Sequence, residues 1–156
     1  MKRRSVILAL LLGSTLSASA WARDVALVSY KANPLSDLAL ADLTKACKGE
    51  TSRWPDGKPV TVVMKKPSLT EMKLVLEKIY GADEKDVTRT IAAANHARTN
   101  HPAVVLVETD QDVLYQVSNT PGAVGLVDVY SINSSVAVLK VGGRLPLEPG
   151  YALHGN

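Results

Sequence analysis

NPLSDLALADLTKACKGETSRWPDGKPVTVV, residues 33–63, reads as a loop, a helix, a second loop and a strand in one run. Asn33-Pro34 is a turn signal, since proline fixes its own φ and pushes the residue before it towards extended geometry. Within 38–49, Leu40, Leu43 and Cys47 recur at i, i+3 and i+7, the spacing of one helix face. Gly49 stands where a helix C-cap glycine belongs. Pro55-Asp56-Gly57 is a tight turn. The β-branched, apolar run 60–65 is a strand, and Lys66-Pro67 ends it.

Outward from this run the same alternation continues. The segment 24–30 reads as a strand. Ser68 with Glu71 makes an S-x-x-E capping box at the head of a helix whose buried face is Leu69, Met72, Leu76 and Ile79, ended by Gly81. A further helix begins at Asp83 or Glu84, runs to about Arg98, and turns Val87, Ile91 and Ala94 inward. Residues 103–108 form a strand, and Thr109 caps a short helix containing Val113, Leu114 and Val117. SNTPG (118–122) turns the chain into strands at 123–129 and 136–141. This order predicts an α/β fold, a layered sheet, mixed or mostly parallel, flanked by helices.

The chain has 156 residues with 18 Lys and Arg against 15 Asp and Glu. Lys2, Arg3 and Arg4 account for that excess. They head a short apolar run, Val6 to Leu12, followed by Ala18-x-Ala20 or Ala20-x-Ala22, so 1–22 reads as a secretory signal peptide with two possible cleavage sites. The apolar run is too short to span a bilayer, which takes about 20 residues. The expected location is periplasmic or secreted, with no membrane span after cleavage. Residues 23–156 are then formally neutral and make one domain, and nucleic-acid binding loses the basic face it needs. One cysteine, Cys47, excludes an internal disulfide. Phenylalanine is absent, so Leu, Val, Ala and a few Tyr fill the core.

NPLS at 33–36, WPDG at 54–57 and SNTPGAVGLV at 118–127, in that order, resemble the second lobe of phosphate-type periplasmic substrate-binding proteins of ABC transporters. The resemblance implies a type 2 periplasmic-binding-protein fold, a non-enzymatic role and an oxyanion such as phosphate as ligand. It covers about 25–141, one lobe of a fold that traps its ligand between two. In the family an Arg and a Ser-Gly-Thr triplet follow the strand after WPDG. The matching residues here are Lys66, Ser68, Leu69 and Thr70. Lys66 replaces a bidentate fork with a point charge, Leu69 brings a side chain where glycine is usual, and Glu71 brings a carboxylate. Weak binding is therefore expected. Ala39 stands where the family often has a capping Ser.

The same stretch supports two readings by elementary chemistry. A helix N-terminus offers unpaired N–H groups and about half a positive charge to an anion, with Ser68 and Thr70 adding hydroxyls and Lys65 or Lys66 a cation. Alternatively Ser68 is only a helix cap. A lone lobe also leaves its interlobe face bare, which invites a protein partner or self-association without any small-molecule ligand.

The remaining candidates read as structural. Cys47 lies on an apolar stripe, as a buried inert thiol. His96 and His101 have the wrong spacing for one helix face, and His154 lies in a loose tail, so no metal site or cofactor is expected. Asp110 and Asp112 complement a helix dipole, Asp42 is solvated, and Trp54 anchors its loop. No nucleophile–base order or nucleotide loop points to an enzyme.

Overall fold

The computed structural model describes residues 23–155. The leader at 1–22 lies outside them. Strand β1 (Val25–Ser29) is followed by a two-residue strand β2 (Asp37–Leu38) and helix α1 (Leu40–Cys47). Strand β3 (Thr61–Lys65) leads into a composite helical segment, 70–80. It is a 3-10 turn (Thr70–Met72), one α turn labelled α2 (Lys73–Val75) and a π turn (Leu76–Tyr80). Helix α3 (Glu84–His96), strand β4 (Val104–Val107), helix α4 (Asp110–Asn119) and strand β5 (Ala123–Asp128) follow. Strands β6 (Ala137–Val138) and β7 (Lys140–Val141) close the order.

Five strands form a mixed sheet in the order β4-β3-β5-β1-β6, and β2 pairs with β7 apart from it. β3 runs parallel to both β4 and β5, while β1 runs antiparallel to β5. The strand expected at 136–141 is thus split between two sheets.

Alternation along the strands builds a core on each face. Leu27, Val62, Met64 and Leu126 point to the side covered by α1, the 70–80 segment and α3. Ala26, Val28, Val63 and Val127 point to the other, against Val113, Leu114 and Val117 of α4. Gly125 lets α4 approach β5, since a Cβ there would lie 2.7 Å from both Val113 Cγ1 and Val117 Cγ2.

The helix starts follow local chemistry. Thr109 and Asp112 form a capping box on α4, Asp83 accepts from the Asp86 N–H on α3, and α1 starts at Ala39 without a side-chain cap. The capping box expected at Ser68 is absent. Leu69 is the cap residue, with no side-chain hydrogen bond, because Glu71 turns to Lys65 instead.

The tail is not loose. Tyr151 and Leu153 are buried, Val25 N–H donates to Leu153 O at 3.0 Å, and Tyr151 OH donates to Val25 O at 2.8 Å. His154 Nδ1 lies 2.6 Å from the buried Asp24 carboxylate, which also accepts from Leu147 N–H at 2.7 Å. Gly155 packs on the Arg23 backbone, where a Cβ would meet Arg23 O at 2.6 Å.

Burial pushes the Cys47 thiol up to about 12, partly offset by the Tyr80 hydroxyl beside it. The folded pKa is raised, so this contribution is complete below the unfolded thiol value of about 8.5 and disappears by about 12. Between those limits the fold should lose about 1.4 kcal/mol per pH unit from this group. Urea unfolding between about pH 8.5 and 10, below the range where the buried Tyr80 and Tyr151 hydroxyls add slopes of their own, checks this, and Cys47→Ser should flatten it there. Native protein should resist thiol reagents that label it once unfolded.

Candidate functional site

Because β3, β4 and β5 are parallel, their carboxyl ends share one edge of the sheet. In open α/β sheets this is where ligands gather. The antiparallel β1 brings Arg23 and Asp24 to the same edge. A cavity of about 240 Å³ opens there, lined among others by Val25, Lys65, Glu71, Met72, Val75 and Leu126.

Lys65 ends a strand buried on both faces, and its side chain is 9% exposed. A buried ammonium needs a counter-charge. Its Nζ lies 2.9 Å from Asp110 Oδ1 and 3.5 Å from Glu71 Oε1. The approach of Nζ to Oδ1 is that of an ion pair rather than an aligned hydrogen bond. The other carboxylate oxygen, Asp110 Oδ2, accepts from Ser131 Oγ at 2.7 Å. Asp110 is thus more than a dipole complement: it neutralises Lys65. The sequence holds a signal for this, since a lysine closing a wholly buried strand requires a carboxylate nearby. The helix after the adjacent parallel strand supplies one. Lys66 points the other way, is exposed and pairs with Glu108.

The predicted oxyanion residues follow directly. Leu69 N–H donates to Lys66 O at 3.1 Å, and Met72 N–H to Leu69 O at 2.9 Å. The N–H groups of Ser68, Thr70 and Glu71 find no acceptor among the described residues, nor do the Ser68 and Thr70 hydroxyls. Ser68 and Thr70 are exposed. Leu69 packs its side chain against the inner core rather than over these donors. These main-chain and hydroxyl donors therefore lie on exposed residues without an internal acceptor, while both nearby amines are ion-paired.

The motifs that carry the resemblance meet at the opposite end of the sheet. Asn33 accepts from Gly122 N–H at 3.0 Å and donates to Ala123 O at 3.3 Å and Ser29 Oγ at 2.9 Å. Trp54, 6% exposed, donates from Nε1 to Gly122 O at 2.6 Å. Gly122 has φ +85°, and a Cβ there would sit 2.3 Å from Pro59 O, so no other residue fits. NPLS, WPDG and TPGA are one buckle that closes three loops, remote from the lysines. Trp54 is an anchor, as the cost of exposing its ring implied. Among the described residues no His, Cys, Asp and Glu group could hold a metal ion, and no helix is long and apolar enough to cross a membrane.

No family model matches the chain, and no curated protein matches it. Solved structures do. An ABC-type phosphate transport receptor from Vibrio cholerae superposes with a TM-score of 0.69 at 17% identity, covering 86% of this chain and 54% of its own. PstS from Borrelia burgdorferi gives 0.66 at 14%, covering 86% and 55%. A phosphate-binding protein from Stenotrophomonas maltophilia gives 0.59 at 20%, covering 80% and 40%. The fold is that of a lobe of the phosphate-type substrate-binding proteins. The chain spans about half the length of these structures.

Removing one partner of the buried pair strands the other. Lys65→Met should cost about 3 kcal/mol. The double variant Lys65→Met, Asp110→Asn should recover most of it, by urea unfolding. Asn33→Ala leaves Gly122 N–H without its acceptor in the buckle, while Ala123 O keeps its bond from Tyr30 N–H, and should cost about 2 kcal/mol in the same assay.

Proposed function

We propose that this chain is an exported, non-enzymatic solute-binding-like domain that takes phosphate or a similar oxyanion weakly at 66–70. One observation carries the reading: the Ser68, Thr70 and Glu71 amides and the Ser68 and Thr70 hydroxyls have no internal acceptor and open to solvent. A tetrahedral oxyanion accepts hydrogen bonds from such a set without further machinery. The likeness to phosphate receptors supports the ligand class.

Two features hold the affinity down, the neutralised Lys65 and the open site, and the exposed Lys66 offsets them in part. Lys65 is neutralised by Asp110 and Glu71 and contributes no net charge. Lys66 is tied to Glu108 in an exposed pair, of a kind worth about 0–1 kcal/mol, so it can swing to a ligand at little cost. The site also lies open to water, and a ligand there buries little surface. A dissociation constant near ~1 mM, about −4 kcal/mol, follows from that balance. The leader at 1–22 supplies the export signal in this reading.

The test is an amide NMR titration with phosphate and with sulfate, against chloride at equal ionic strength. Shifts should cluster at 68–71 and saturate in the millimolar range. The double variant Ser68→Ala, Thr70→Ala should reduce them severalfold without altering the fold. Unmoved 68–71 amides at high phosphate would remove the ligand assignment.

A further inference from the structure

Strand β4 is the outermost strand of its sheet, so one of its edges has no neighbouring strand. Its parallel pairing with β3 fixes which groups face that edge. Val62 N–H donates to Ala103 O at 2.9 Å, and Lys66 N–H to Val107 O at 3.0 Å. Backbone groups alternate in direction along a strand. Residues 103, 105 and 107 therefore serve β3, while Val104 and Leu106 turn their N–H and C=O outward.

The two outward residues are treated differently. Val104 is closed by a side chain of α3: its N–H donates to Asn95 Oδ1 and its C=O accepts from Asn95 Nδ2, both at 2.9 Å. The carboxamide stands where a further strand would. Leu106 has no such cover, and its N–H and C=O find no partner among the described residues. The valines on either side of it are open too. They lie on the α4 face, but α4 packs on β5, β3 and β1 rather than on β4, and Val105 and Val107 are left half-buried. Edge strands are commonly shielded by charge, proline or a covering element. Residues 104–107, VVLV, carry neither charge nor proline.

We infer that β4 pairs with β4 of a second copy, antiparallel about a two-fold axis at Leu106, so that the two sheets continue edge to edge. In that register each Leu106 N–H donates to the Leu106 C=O of the other copy, and both open groups are satisfied at once. Val105 of each copy faces Val107 of the other, and these side chains cover one another where α4 leaves them bare. The Asn95 carboxamides end the ladder on both sides and so fix its register. A second copy fits this edge better than a loose strand of another protein. Its β4 is already ordered on β3, so no segment loses conformational freedom on binding. The contact is short, and the dimer is a weak one. This inference stands apart from the oxyanion reading, and either survives failure of the other.

Sedimentation velocity and amide hydrogen exchange on the purified protein test it, in chloride buffer without phosphate. The weight-average mass should climb with concentration into the millimolar range, towards a dimer and no further. The Leu106 amide should exchange freely in dilute protein and gain protection in step with the dimer. The Val105 and Val107 amides, which face β3, should be protected throughout. Val105→Lys sets an ammonium against Val107 of the other copy and should weaken dimerisation about tenfold or more. Leu106→Pro deletes the outward N–H without touching the ladder to β3, and should do the same. Asn95→Ala uncovers Val104, lets the ladder grow by the pairing of Val104 with Glu108, and should tighten the dimer about tenfold. Urea unfolding checks that each variant is folded. Monomers at millimolar concentration overturn the proposal and leave the edge to a foreign strand. A dimer in which the Leu106 amide stays unprotected, or one that survives Val105→Lys unchanged, overturns it as well.

Discussion

A single buried ammonium organises the carboxyl end of this sheet. Lys65 sits at the last position of a strand covered on both sides, where an unpaired charge could not persist. Asp110 at the head of α4 and Glu71 in the first turn of the 70–80 segment must both lean towards it. That requirement fixes how two helical segments begin. It takes Glu71 out of the capping role that its spacing from Ser68 suggested, and the donors of that turn stay uncovered as a result. The same requirement leaves the Lys65 ammonium shared between two carboxylates.

The fold was legible because its elements have local causes. The stripe Val87, Ile91 and Ala94 is buried as its spacing demanded, and Thr109 caps α4 as its hydroxyl allowed. Strands β1, β3, β4 and β5 lie where β-branched runs occur. What escaped the sequence depends on contacts between distant segments. The return of 151–155 to β1 is held by Asp24 across the whole chain, with no periodicity to announce it. The division of 136–141 between two sheets is decided by which edge each pair of residues meets. The π turn at 76–80 likewise has no marker in residue spacing.

The candidate site was legible only by position. Lys66, Ser68, Leu69 and Thr70 do cluster at the carboxyl end of β3. Their roles differ from one another: Leu69 belongs to the core, and Lys66 is engaged with Glu108. The most recognisable motifs proved to be architecture. Asn33, Trp54 and Gly122 are constrained by hydrogen bonds and by a backbone contact too tight for any Cβ. Motifs of this sort transmit a shape between distant sequences more faithfully than they transmit a ligand. This agrees with a fold shared with phosphate receptors at 14–20% identity.

The seam between Arg23 and Gly155 has an architectural consequence. Both residues lie side by side at one edge, knit by the Leu153–Val25 backbone bond and by the Asp24 carboxylate. A folded unit whose polypeptide enters and leaves at one point can be spliced into a surface loop of a host protein without stretching either.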